Sequence, residues 1–152
     1  VYKRQVTDPT NLIPLFALAG SNMLTIHLES KGDTTANLKY IKKSGMNAGL
    51  AIKPATDWKE VIPYLPLCDM VLVMTVEPGY GGQGFIPQCA DKVAMLRKYC
   101  NENGFDKMNI QVDGGINTAT AATVKDAGAN VLVAGTYLFR AKDMKAAADA
   151  IR

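Results

Sequence analysis

The chain has 152 residues, enough for one domain with its own core and short for two. Apolar residues make up 48% and charged residues 20%, which excludes a disordered or fibrous chain, and no apolar run approaches the ~18 residues of a membrane-spanning helix. The net charge of +3 rests on scattered lysines and arginines not banked with aromatics, so neither nucleic acid nor membrane is an expected partner.

In chain order, "VYKRQ" (residues 1–5) fits no strand pattern, and Asp8-Pro9 opens a helix over "DPTNLIPLFALAG" that Gly20 stops. A strand follows at "MLTIHLE" (Met23–Glu29), then a helix in "TTANLKYIKKSG" ending at Gly45. The second strand is "AGLAIKP" (Ala48–Pro54), followed by a helix in "DWKEVIPYL". The third is "MVLVMTVEP" (Met70–Pro78), and after the glycine-rich "GYGGQGF" comes a helix in "PQCADKVAMLRKYCNENG" that Gly104 ends. The fourth is "NIQVDGG" (Asn109–Gly115), with a helix in "TATAATVKDAGA" that Gly128 ends. The fifth is "NVLVAGT" (Asn130–Thr136), and "DMKAAADAI" forms a last helix. Strands alternating with helices at this repeat predict parallel β-α units.

Parity within the strands separates two kinds of parallel sheet. Leu24, Ile26 and Leu28 share one face against Thr25, His27 and Glu29, and Ile110 and Val112 oppose Gln111 and Asp113. An open doubly wound sheet covers both faces with helices and favours continuous apolar runs. One apolar and one polar face favour a barrel whose interior meets a ligand near its mouth. A closed (β/α)8 barrel takes about 250 residues. The expectation is therefore a single partial barrel domain over 1–152, with N-terminal units missing and residues 1–5 matching nothing.

Candidate chemistry gathers at strand ends, where β-α barrels bind their ligands. "GYGGQGF", Asp113–Gly115 and Ala134–Thr136 put glycine after three successive strands. Each alone reads as a turn; together they predict a cradle of main-chain N–H groups for a phosphate dianion. Asp113 precedes two glycines, and because Asn117 is available to cap the next helix, its carboxylate is placed for acid–base work or metal ligation. His27, the lone histidine, is expected to be a hydrogen-bonded interior residue, and Glu29 and Lys53 to be locally ion-paired at the mouth. Met70 and Met74 share a parity that fills the interior, Met74 near enough to the rim to form a pocket wall. Cys68, Cys89 and Cys100 are odd in number and lack C-x-x-C spacing, which disfavours a disulfide framework or zinc knuckle and fits a reducing, cytoplasmic setting.

"LVMTVEPGYGGQGF", with "GLAIKPAT", "IQVDGGI", "DAGAN" and "VAGTYLF" in the same order, resembles the signature of ribulose-phosphate 3-epimerases. The resemblance covers essentially everything after residue 5. It implies a (β/α)8 TIM barrel of which strands four to eight are present. It also implies interconversion of D-ribulose 5-phosphate and D-xylulose 5-phosphate in the pentose phosphate pathway, through an enediolate stabilised by a divalent metal: zinc first, with iron, manganese or cobalt as options. Asp113 then matches the seventh-strand aspartate, both catalytic acid–base and metal ligand. Phosphate contacts fall to Gly79, Tyr80, Gly81 and Gly82, to Gly114 and Gly115, and to Gly135 and Thr136, with the "GYGGQGF" loop closing over substrate. The family's second-strand histidine and aspartate and its third-strand histidine have no counterpart here, so this piece alone is expected to be inactive and the longer parent, with a homo-oligomer as one option for its assembly, to be the enzyme. The rivals are an allulose-6-phosphate 3-epimerase, a sugar-phosphate decarboxylase, and a non-catalytic phosphate-binding module.

Overall fold

The computed structural model describes residues 6–152; the expectation for residues 1–5 lies outside the described residues. Five parallel strands form one sheet in the order β1-β2-β3-β4-β5: Met23–His27, Asn47–Ile52, Met70–Met74, Asn109–Asp113 and Val131–Val133. The order never reverses, whereas a doubly wound sheet reverses at its switch point. This is the winding of a barrel wall.

The helices are α1 (Ile13–Leu18), α2 (Thr34–Lys43), α3 (Gln88–Glu102), α4 (Thr118–Asp126), α5 (Gly135–Arg140) and α6 (Met144–Ile151). Their packing follows the strand parity. Ile26, Leu50, Val71, Val73, Ile110 and Val112 are buried in the main core with Leu38 and Ile41 of α2, Val93 and Leu96 of α3 and Val124 of α4. The opposite face carries a small separate cluster of Ala51, Leu72, Met74 and Val76. One side of the sheet is thus jacketed by helices, and the other opens into a cleft.

Three expectations need correction. "DWKEVIPYL" is a 3-10 helix (Trp58–Leu67), because Pro63 and Pro66 lack the N–H groups an α-helix requires; Asp57 and Glu60 still close a capping box on it. The segment around Asp8-Pro9 begins as a 3-10 turn (Thr10–Leu12), with the Asp8 carboxylate accepting from Thr10 N at 3.0 Å, before α1 starts. Each strand also ends earlier than its apolar run suggests. Beyond Asp113, Gly114 and Gly115 turn with φ of 131° and 63°, leaving the extended conformation that the ladder needs.

A glycine-lined cleft as the candidate active site

The cleft is built on the ends of the strands. Asp113 closes β4 and stands level with Met74 of β3 and Val133 of β5. Its carbonyl accepts from Thr75 N at 3.0 Å, and Thr75 Oγ1 donates to the Gly114 carbonyl at 2.6 Å. Thr75 is fully buried, the one polar residue inside an apolar run, and it fastens the chain after β4 to the end of β3. Asn117 caps α4 by accepting from Ala119 N at 2.9 Å and Thr120 N at 3.2 Å, so capping does not call on Asp113.

The glycines that follow are required by contact. A Cβ on Gly114 would lie 2.5 Å from Val76 Cγ2 and 2.9 Å from Val76 N. One on Gly115 would lie 2.5 Å from Phe85 N. The "GYGGQGF" segment therefore leaves β3, loops out, and returns against the Gly115 backbone. Ile86 N donates to the Thr75 carbonyl at 2.9 Å and closes the base of the loop. Inside it, Gln83 Nε2 donates to the carbonyls of Glu77 (2.6 Å) and Tyr80 (2.9 Å). Its crown is open: Tyr80 is 74% exposed. On the far side, Gly135 and Thr136 begin α5, and a Cβ on Gly81 would meet Thr136 Oγ1 at 3.7 Å. The three glycine corners anticipated from the sequence are thus neighbours in space. Gly79, Tyr80, Gly81, Gly82, Asp113, Gly114, Gly115, Gly135 and Thr136 all line one cleft.

The rim at β1 and β2 is held by Glu29. Its Oε1 accepts from Lys53 N at 2.8 Å and from Thr56 Oγ1, and its Oε2 meets His27 Nδ1 at 3.1 Å. Burial alone would push this carboxyl up, but the hydrogen bonds from His27, Thr56 and Lys53 N outweigh it and hold it at about 2. The ionised carboxylate can only accept, so the His27 proton sits on Nδ1. Lys92 of α3 completes the fastening: its ammonium donates to the carbonyls of Lys53 (3.1 Å), Pro54 (2.9 Å) and Thr56. His27 is hydrogen-bonded at the cleft wall, as expected. The local pairing expected of Glu29 is with His27 and the main chain of Lys53, whereas among the described residues no ion pair engages the Lys53 ammonium. Met74 forms part of the cleft wall, whereas Met70, equally buried, lies below it.

Thr75, Gln83 and Lys92 were not marked by the sequence as site residues. Thr75 alone left a signal, a hydroxyl amid "MVLVM" and "V". The cleft measures about 2390 Å³, well above the ~300–1,000 Å³ of an ordinary small-molecule pocket, because it takes in the whole uncovered face of the sheet. Among the described residues, no group of three or more His, Cys, Asp or Glu side chains could hold a metal ion, so Asp113 could supply one ligand of a larger set. No helix among them is long and apolar enough to cross a membrane.

Comparison with known proteins agrees with this geometry. The model of the "Ribulose-phosphate 3 epimerase family" matches residues 5–139. The chain is 45% identical over 138 residues to a ribulose-phosphate 3-epimerase of Candida glabrata, covering 91% of this chain and 54% of that protein. To the enzyme of the same name from Bacillus subtilis it is 37% identical over 147 residues, covering 97% and 68%. For Escherichia coli K12 the figures are 38% over 141 residues, 93% and 62%. The chain thus spans about half to two thirds of the length of these curated relatives. A crystal structure of 3-hexulose-6-phosphate synthase superposes with a TM-score of 0.69 over 97% of this chain and 69% of that one; at 19% identity the likeness concerns the fold alone. A match over most of the chain, joined to glycine corners and an aspartate at consecutive strand ends, places this chain in the ribulose-phosphate 3-epimerase family.

Proposed function

We propose that this chain supplies the phosphate grip and one acid–base group of a ribulose-phosphate 3-epimerase, acting on D-ribulose 5-phosphate and D-xylulose 5-phosphate. The carrying observation is the meeting of the three glycine corners beside the Asp113 strand end. Phosphate is held by main-chain N–H groups of Gly79–Gly82, Gly114–Gly115 and Gly135–Thr136, with Tyr80 at the loop crown closing over it. The sugar then extends toward Asp113. Carbon 3 is acidified by the adjacent ketone; its proton passes to the Asp113 carboxylate and the C–H electron pair moves onto the carbonyl oxygen, leaving an enediolate. Return of a proton from the opposite face inverts the centre.

The described residues supply the acid–base group of one face. They hold no cluster that could bind a metal by itself, so Asp113 would be one ligand of the divalent ion, zinc foremost, that the family resemblance implies, and that ion would stabilise the charge on oxygen. The five strands are read as the fourth to eighth of an eight-stranded barrel. The singly wound order, the polar inner face and the width of the cleft support that reading. So do the exposed Leu15, Leu18 and Phe139, apolar surface that further units or a second copy would cover. The three buried free thiols support a reducing, cytoplasmic location.

The test joins this chain to the remaining barrel units of a relative. Asp113→Asn should lower turnover by about 10²–10⁴-fold, the range for a general acid–base group, while binding of D-ribulose 5-phosphate persists. Unchanged turnover would leave Asp113 outside the chemistry. The unjoined chain should bind the sugar phosphate and not epimerise it, and turnover by that chain would overturn the one-sided reading.

A further inference from the structure

Lys53 is the cleft residue whose surroundings are most elaborate and whose side chain has no role so far. Its main chain is clamped on both sides: the N–H by the Glu29 carboxylate at 2.8 Å and the carbonyl by the Lys92 ammonium at 3.1 Å. Lys92 also binds the carbonyls of Pro54 and Thr56, and Thr56 donates to Glu29, so the segment after β2 is fastened to both β1 and α3. The effect is to fix where one lysine stem leaves the backbone.

That stem belongs to the inner face. Ala51, two residues earlier, lies in the inner cluster, and Lys53 lines the cleft. The register gives its level. Ile52 pairs with Val73, so Lys53 stands beside Met74, and Met74 pairs with Asp113. Lys53 and Asp113 therefore occupy one layer on either side of Met74, two strand spacings or about 10 Å apart at the backbone. Among the described residues, no hydrogen bond or ion pair engages the Lys53 ammonium, and the Glu29 carboxylate that holds the Lys53 N–H has both oxygens engaged, by His27, Thr56 and that N–H. A cation at a cleft mouth with no counter-ion among the described residues suits an anionic or oxygen-rich ligand.

We propose that Lys53 is a substrate-binding residue, its ammonium donating a hydrogen bond to the keto oxygen of the sugar phosphate across Met74 from Asp113. The inference rests on the sugar-phosphate reading and adds a contact to it. When Asp113 takes the carbon-bound proton, the released electron pair collects on that oxygen, and the ammonium opposite stabilises the charge without itself giving up a proton. The phosphate stays at the glycine corners, so one end of the ligand depends on Lys53 and the other does not.

That asymmetry makes the test. The full chain, wild type and with Lys53→Met or Lys53→Arg, is titrated calorimetrically with D-ribulose 5-phosphate and, separately, with inorganic phosphate. Lys53→Met should weaken ribulose 5-phosphate about tenfold, the size of one charge-assisted hydrogen bond, and leave inorganic phosphate unchanged; Lys53→Arg should recover most of the loss. Reductive methylation read by mass spectrometry should show Lys53 protected by ribulose 5-phosphate and not by inorganic phosphate, a result independent of any variant's folding. Equal affinity of wild type and Lys53→Met for ribulose 5-phosphate, with no protection, overturns the assignment while leaving the glycine cradle intact. A wild-type chain that binds neither probe overturns the sugar-phosphate reading and this inference with it.

Discussion

Replacing Gly115 with alanine isolates what joins the glycine loop to the end of β4. Gly115 has φ +63°, and its added Cβ would lie 2.5 Å from Phe85 N, 2.7 Å from Phe85 Cα and 2.9 Å from Phe85 Cβ. Gly82 in the same loop has φ +82° with nothing within 4 Å of its Cβ. Alanine at either position meets the left-handed backbone penalty, about 1–2 kcal/mol. Only at Gly115 does it also collide with main chain, which cannot swing aside as a side-chain tip can, adding about 1–3 kcal/mol of overpacking. Gly82→Ala should therefore lower the unfolding free energy by about 1–2 kcal/mol and Gly115→Ala by about 2–5 kcal/mol. Urea denaturation followed by the fluorescence of Trp58, the single tryptophan, which packs on the main core, reads both changes. Gly115→Ala should also weaken inorganic phosphate binding, because the loop can return only by moving Phe85. Equal destabilisation by the two substitutions would refute the claim that loop and strand end are in contact.

Acid should release the β1 rim. The Glu29 carboxyl is held at about 2 against an ordinary 4.5; a carboxyl depressed in the folded state stabilises it above the unfolded value and loses that contribution as pH falls from about 4.5 toward 2. After solvent screening the loss is on the order of 1–2 kcal/mol, and it should vanish from the pH–stability curve of Glu29→Gln; an unchanged curve would contradict the hydrogen-bonded rim. The thiols give a further check. Burial pushes Cys68 up to about 12, with Asp69 adding to the rise, and burial likewise raises Cys89 and Cys100. Iodoacetamide at pH 8 should leave all three unmodified in the native chain and alkylate them in urea, and rapid native labelling would place a thiol outside the core.

Much of the fold was legible because each strand carries its orientation in its own alternation. Thr25, His27 and Glu29 against Leu24, Ile26 and Leu28 needed no distant partner to declare an inner and an outer face, and the core follows that division. Helix ends were legible for the same local reason: Gly20, Gly45, Gly104 and Gly128 adopt the positive φ that stops a helix. What escaped depends on long sequence separations. The Thr75 hydroxyl finds its carbonyl acceptor 39 residues on, and Lys92 binds carbonyls 36 to 39 residues back; neither has a local pattern. The helix α5 is hidden because its first two residues, Gly135 and Thr136, read as the tail of the fifth strand.

The local and long-range parts together explain why glycine is required after β4 and why three glycine-bearing connections meet. Parallel strands in unbroken order place successive carboxyl ends side by side, so each connection must cross the same small region before entering its helix. After β4 a side chain would collide with the neighbouring connection, as Gly114 with Val76 and Gly115 with Phe85 demonstrate, whereas a Cβ on Gly79, Gly82, Gly84 or Gly135 would meet nothing within 4 Å. Glycine solves that packing problem after β4, and the glycines of all three connections line one cleft. Asp113 stands at that border because its parity turns it inward, so the winding itself sets an aspartate beside the glycine corners.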